Sequence, residues 1–293
     1  MFDFRYHALS LVAVFVALGI GLLLGVAVGD QELVGSARKK VVKGLEGDLK
    51  NARTEANDLR GEIKQHEDFE DEAFPALVSG QLAGQRVGLI FLGGSSREVY
   101  DNVRDAVDSA GGELSFTAAV REPPDLGALG SRAGETRYGD LGADGDLLRP
   151  FAQRVGRGLS LGGDLARRER SALFDSFSGD LEGVDAVVFA RSGERKAGDD
   201  GVEETRTLEE GLVAGMRDAQ IPVVGVERTD TDPSHVGWYR DRGIASVDDV
   251  DDVSGRVALV YTLTGRADGA YGVKSSAEGI LPRVVEGQDS GGG

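Results

Sequence analysis

The sequence predicts an α/β head carried behind a single N-terminal transmembrane helix and a coiled-coil stalk. Three observations predict it. Residues 8–29 are an unbroken apolar run, residues 42–66 repeat apolar side chains at spacings of three and four, and from residue 86 short apolar runs alternate with helically spaced segments. The head is expected to be a doubly wound, mostly parallel, Rossmann-like sheet. The expected boundaries are a flank at 1–7, the span at 8–29, the stalk at 30–75, the head at 76–285 and a disordered glycine-rich tail at 286–293.

The span, Ala8 to Gly29, has Ser10 as its only polar side chain. At about 1.5 Å per residue it covers roughly 33 Å, against a hydrocarbon core of about 30 Å. Two readings compete with a buried core helix, which the uniform apolarity disfavours. One is a retained signal anchor. The other is a cleaved signal peptide with Arg5 in its basic flank and Ala27-Val28-Gly29 as the cleavage site. The length of the run favours the anchor. Small residues recur every fourth position at Ala13, Ala17, Gly21, Gly25 and Gly29, a spacing that lets two membrane helices approach closely. A plain count of basic residues near the span favours a cytoplasmic head without deciding the orientation. Arg5 stands on the short side, and Arg38, Lys39, Lys40 and Lys43 stand beyond the span behind Asp30 and Glu32. That basic cluster fits either anionic lipid headgroups or a solvated stretch of stalk.

In the stalk, Val42, Leu49, Ala56 and Ile63 take heptad a positions, and Leu45, Ala52, Leu59 and His66 take d. A parallel, in-register pair sets Asp48 against Arg53 and Glu55 against Arg60, with Glu62 against Glu67 unfavourable. Gly44, Gly47 and Gly61 each weaken the helix by about 1 kcal/mol. The stalk is therefore expected to pair as a parallel homodimer with help from the span. The rival is an amphipathic helix packed on the head. Pro75 disfavours helix at Phe74, so Phe69, Phe74 and Pro75 are expected to end the stalk, with the aromatics docking on the head.

In the head, Arg86–Leu92 reads as a buried strand, Arg97–Ala110 as a helix and Glu113–Val120 as a second strand, a βαβ unit. After a glycine-rich middle with helical pieces near Leu147–Val155 and Leu165–Phe177 come strands at Val184–Ala190, Ile221–Val226 and Ile244–Val247. Helices are expected at Thr207–Ala219 and Ser254–Leu263, the last with Ser254 as N-cap.

The composition excludes several functions. A net charge of −17 argues against nucleic acid. The absence of cysteine removes thiolate chemistry, disulfides and Cys-based metal sites. Gly93-Gly94-Ser95-Ser96 follows a strand and precedes a helix, and so is a candidate anion-binding turn. It is neither a dinucleotide fingerprint nor a phosphate loop, and a structural turn is the favoured reading. Asp248, Asp249, Asp251 and Asp252 lack calcium-loop spacing, and acidic residues also favour the start of a helix. Ser234, His235 and Asp232 contain the residue types of a hydrolase triad, but no nucleophile elbow is present. No catalytic residue, cofactor or metal ligand is assigned, and no enzyme is expected.

Taken together, the Arg5–Gly25 segment RYHALSLVAVFVALGIGLLLG, PALVSGQLAG at Pro75–Gly84, SVDDVD at Ser246–Asp251, GRVALV at Gly255–Val260 and GAYGVK at Gly269–Lys274 resemble the actinobacterial MctB family. That family is named for copper transport across the mycobacterial outer membrane. The resemblance implies a cell-envelope protein with its head outside the cytoplasm and a role in copper efflux or homeostasis. Copper(I) prefers thiolate, thioether and imidazole ligands, and the chain has no Cys, two Met and three scattered His. Any copper role is therefore expected to be indirect or to depend on partners. The other reading is an envelope scaffold or regulator that recruits a protein partner, such as a cell-wall or cell-separation enzyme.

Overall fold

The chain is described here from a computed structural model covering residues 4–28, 31–192 and 201–283. Two compact units divide it, one running up to Asp68 and the other starting at Phe69. Gly29 of the small-residue series and the expected tail at 286–293 lie outside the described residues.

The first unit is helical. Helix α1 (Phe4–Val28) holds a 23-residue stretch, Arg5–Ala27, of mean hydropathy 2.7, and no part of it is buried. An apolar helix left bare is not the core of a soluble domain; its side chains need lipid or another helix around them. Its hydroxyl is satisfied locally, because Ser10 Oγ donates to the His7 carbonyl at 3.3 Å. Helix α2 (Gln31–Val78) carries the heptad positions, and Val42, Leu45, Leu49, Leu59 and Ile63 are all exposed on it.

Pro75 does not end this helix, contrary to expectation: α2 runs on to Val78. The missing N–H removes one bond near the C-terminus. The last turns are instead held by burial in the second unit, where Phe74 and Val78 enter the core. Arg256 stacks 4.8 Å from the Phe74 ring and pairs with Asp71 at 3.3 Å. The turn comes two residues later at Gly80, whose φ of +74° suits glycine. Phe69, expected to dock beside Phe74, is 68% exposed.

The second unit is built on one sheet. Its strands are β1 (Arg86–Leu92), β2 (Glu113–Val120), β3 (Phe174–Gly179), β4 (Ala186–Arg191), β5 (Val223–Val226), β6 (Ala245–Val247) and β7 (Ala270–Tyr271). The order is β3-β2-β1-β4-β5-β6-β7, parallel throughout except for β3. The near-continuous apolar runs at 86–92 and 186–191 follow from burial on both faces. Alternate residues of β1 show it. Ile90 and Leu92 join Phe116, Phe151, Phe189 and Leu212 on one side, while Val87, Leu89 and Phe91 join Val78, Val103, Val188 and Leu259 on the other.

Helices α4 (Leu126–Ala133), α5 (Leu148–Leu161), α6 (Asp164–Leu173), α7 (Val202–Arg217) and α8 (Val236–Asp241) contribute to the first side. Helices α3 (Arg97–Ser109) and α9 (Val253–Leu263), with the end of α2, form the second. Helices α5 and α7 cross closely: a Cβ on Gly156 would lie 2.2 Å from the Leu212 carbonyl oxygen.

Two local expectations are corrected. The helical piece expected at Leu165–Phe177 stops at Leu173, and Phe174–Gly179 turns into strand β3, antiparallel to β2. The edge of β2 needs backbone partners, and that tertiary demand overrides the helical periodicity. Ser254 is not the N-cap of α9. Asp252 holds that position, and Ser254 lies inside the first turn with its hydroxyl donated to Asp249 at 2.8 Å.

Candidate functional site

Ligands of parallel α/β sheets gather at the carboxyl ends of the strands, where the strand order reverses. Here the chain passes from β1 to β2 on one side and to β4 on the other, so the crevice falls beyond Leu92 and Arg191. The Gly93–Ser96 turn sits there. Gly93 has φ of +94°, and a Cβ on it would lie 3.2 Å from Ser192 Cβ and 3.5 Å from a Glu122 carboxylate oxygen. Ser96 Oγ accepts from Val99 N at 3.3 Å and caps α3. The turn thus packs against a carboxylate, and its last hydroxyl is engaged in capping.

The densest polar chemistry lies further along the same edge, beyond β5, β6 and β7. Glu227 directly follows β5 and is buried. One of its oxygens accepts from Ser234 Oγ at 2.6 Å and from Lys274 Nζ at 2.7 Å; the other accepts from His235 N at 2.5 Å. Lys274 Nζ also donates to the Arg228 and Thr231 carbonyls at 3.1 and 2.9 Å. All three ammonium protons are therefore engaged, and this lysine is a clamp, not a nucleophile.

Beyond β6, Asp248 accepts from the backbone N–H groups of Val273 and Lys274 at 2.9 and 3.2 Å. Asp249 accepts from Ser254. Both aspartates are fully buried, and each keeps one oxygen, Asp248 Oδ2 and Asp249 Oδ1, without a hydrogen-bond partner among the described residues. Burial pushes both carboxyls up, Asp249 to about 6, with the charges of its acidic neighbours adding to the rise. Backbone comes close to this pair at Gly272, where φ is +133° and a Cβ would lie 2.1 Å from Asp248 Oδ1 and 2.9 Å from Asp249 Oδ1. No other residue type fits there.

The SVDDVD and GAYGVK segments, about twenty residues apart in sequence, are thereby joined. A two-residue strand such as β7 has little ladder of its own. The aspartate bonds to 273 and 274 and the lysine clamp hold it on the sheet. Sequence reasoning singled out Asp248 and Asp249 but gave no role to Glu227 or Lys274. One signal was available: Lys274 is one of two lysines beyond residue 64 in a chain that otherwise uses arginine.

The remaining candidates separate. Ser234 Oγ is directed at Glu227, and Asp232 is exposed. Trp238 lies under Arg242 and Arg191 at 4.1 and 5.0 Å. Next to it, Tyr239 is buried and its hydroxyl joins two strand ends, accepting from Arg191 N at 3.0 Å and donating to the Val226 carbonyl at 3.1 Å. Burial pushes the pKa of this hydroxyl well above that of free tyrosine. Among the described residues, no group of three or more His, Cys, Asp or Glu stands together to hold a metal ion. Met216 is packed in the core against the sheet and His235 is buried, so neither presents a copper-preferring atom at a surface.

The family model described as "Copper transport outer membrane protein, MctB" matches residues 1–123 and 170–282. No curated protein matches the chain. Both joined segments fall inside the matched ranges, and residues 124–169 lie outside them.

Proposed function

This chain belongs to the MctB family of copper transport outer membrane proteins, and we propose that it serves copper homeostasis at the cell envelope as a membrane-held, paired protein that handles copper only together with other components. The observation that carries the copper role is the family match, which takes in the span and both halves of the head's sheet. The indirect mode rests on the donor set: no cysteine, Met216 and His235 buried, and the exposed His7 and His66 on two different helices.

The membrane attachment reads as a single span with the head outside the cytoplasm, which accords with the envelope role of the family. Pairing is supported by the apolar a and d side chains of α2, which a lone chain leaves in water. A parallel coiled coil through Val42, Leu45, Leu49, Ala52, Ala56, Leu59 and Ile63 covers them, and Ala13, Ala17, Gly21 and Gly25 continue the pairing in the bilayer. The reversal of strand order about β1, with helices on both faces, supports a doubly wound head.

The test is copper content. Cells lacking the chain accumulate copper, full-length chain restores the level, and a Leu45→Asp/Leu59→Asp chain does not. Purified full-length protein retains less than about one-tenth of a copper per chain after desalting. Unchanged cellular copper refutes the role, and one tightly held copper per chain refutes the indirect mode.

A further inference from the structure

Residues 124–169, outside the family match, enclose a cavity of about 750 Å³ between α5, α6 and the turn that precedes them. Four arginines line it: Arg137 from the turn, Arg154 and Arg157 three residues apart on α5, and Arg168 on α6. Several other arginines of the head find carboxylates. Arg149 pairs with Glu210 at 2.5 Å, Arg121 with Asp175 at 3.5 Å and Arg191 with Glu209 at 3.4 Å. None of the four in the cavity is ion-paired among the described residues. Their gathering around one cavity is conspicuous in a chain of net charge −17, where carboxylates outnumber basic residues.

The cavity carries one acidic lining residue, Asp164, and that carboxylate is bound by Arg167. Arg168 also feels the neighbouring Glu169 carboxyl, while Arg137, Arg154 and Arg157 line the space without an acidic partner among the described residues. Arg137 is held in place: its guanidinium donates to Tyr138 Oη at 2.6 Å and lies 4.7 Å from the ring, while Tyr138 is buried edge-on to Phe151. At the floor, Gly163 N donates to the Gly158 carbonyl at 2.7 Å, and a Cβ on Gly163 would lie 2.8 Å from Gly158 Cα. This close approach brings the start of α6 to the cavity. Gly163 offers no side chain to cap that helix, so its first N–H groups add to the positive potential.

We infer that this cavity binds the phosphate group of a multiply charged phosphorylated ligand. Guanidinium forks match phosphate oxygens in pairs, and several arginines converging on one concavity favour a polyanion over a single carboxylate. The ligand's source is either a soluble phosphorylated compound or the headgroup of an anionic phospholipid, since the chemistry is shared. The site is independent of the copper reading and draws on none of its residues.

The experiment titrates full-length protein in neutral detergent with inorganic pyrophosphate, and separately with cardiolipin, whose headgroup carries two phosphates, doped into the micelles, both at low salt. Saturable binding at one site per chain is expected, weakened at least about tenfold in an Arg154→Gln/Arg157→Gln chain and unchanged in Arg266→Gln. Arg154 and Arg157 are exposed and have no ion-pair or hydrogen-bond partner among the described residues, so an unchanged urea midpoint confirms that the double variant folds. Pyrophosphate binding lost in the double variant supports a soluble ligand. Binding confined to the cardiolipin arm and lost in the same variant supports the same site with a lipid source. Absence of saturation in both arms, binding that survives the double replacement, or equal weakening by Arg266→Gln overturns the inference.

Discussion

Replacing Glu169 by glutamine isolates one buried carboxyl and makes a signed prediction. Glu169 lies on α6, fully buried, with neither carboxylate oxygen hydrogen-bonded. Burial pushes it up to about 7 from an ordinary 4.5, against the opposing pull of Arg132 and Arg168. The native state therefore holds a proton between these two pH values that the unfolded chain has released. Stability contributed by the protonated form is complete below about pH 4.5 and is lost as pH rises to about 7, after which the loss is constant. At about 1.4 kcal/mol per unit the ceiling is roughly 3 kcal/mol, and water reaching the carboxyl reduces this to about 1–3 kcal/mol. Glutamine keeps the shape and removes the titration. Relative to the parent, Glu169→Gln should gain about 1–3 kcal/mol between pH 4.5 and pH 8, with no further gain above. Urea unfolding of full-length protein in detergent, followed by the fluorescence of Trp238, the single tryptophan, measures it. A parent-to-variant difference that stays flat with pH, or that moves the other way, refutes the reasoning.

Three further outcomes follow from the packing. Lys274→Met leaves Glu227 charged and buried without its ammonium partner and should cost about 3–5 kcal/mol in urea unfolding. A Lys274→Met/Glu227→Gln chain should recover much of that loss. Gly156→Ala forces α5 away from the Leu212 carbonyl and should lower stability by about 1–3 kcal/mol despite alanine's better helix propensity, read from the same unfolding curve. In a chain without cysteine, Leu59→Cys should form an interchain disulfide under mild oxidation if the stalk pairs in parallel register. A Glu62→Cys chain, off the a/d seam, should cross-link far less on a non-reducing gel.

Much of the head was legible in the sequence because its signals are local. The run RVGLIFL has no polar side chain between Val87 and Leu92, and it forms β1 with both faces covered. Helix α3 follows the spacing of Val99, Val103, Ala106 and Val107, the residues it buries. The misreadings share one cause. Pro75 was expected to end a helix that Phe74 and Val78 keep in place by entering the core. The periodicity running to Phe177 stops at Leu173, because β2 offers a strand edge that the sequence of 174–179 does not announce.

By itself, the sequence determined what depends on neighbours along the chain: an apolar helix long enough for a bilayer, the heptad register, the alternation of strand and helix, and a donor inventory poor in copper ligands. Tertiary structure alone decided the meeting of Glu227 with Lys274, of Asp248 with the backbone at 273 and 274, and of four arginines around one cavity. Charge pairs and cavities are set by which distant segments the sheet order brings side by side. That order is chosen by burial and by backbone hydrogen bonding over the whole unit, which no short window of sequence contains.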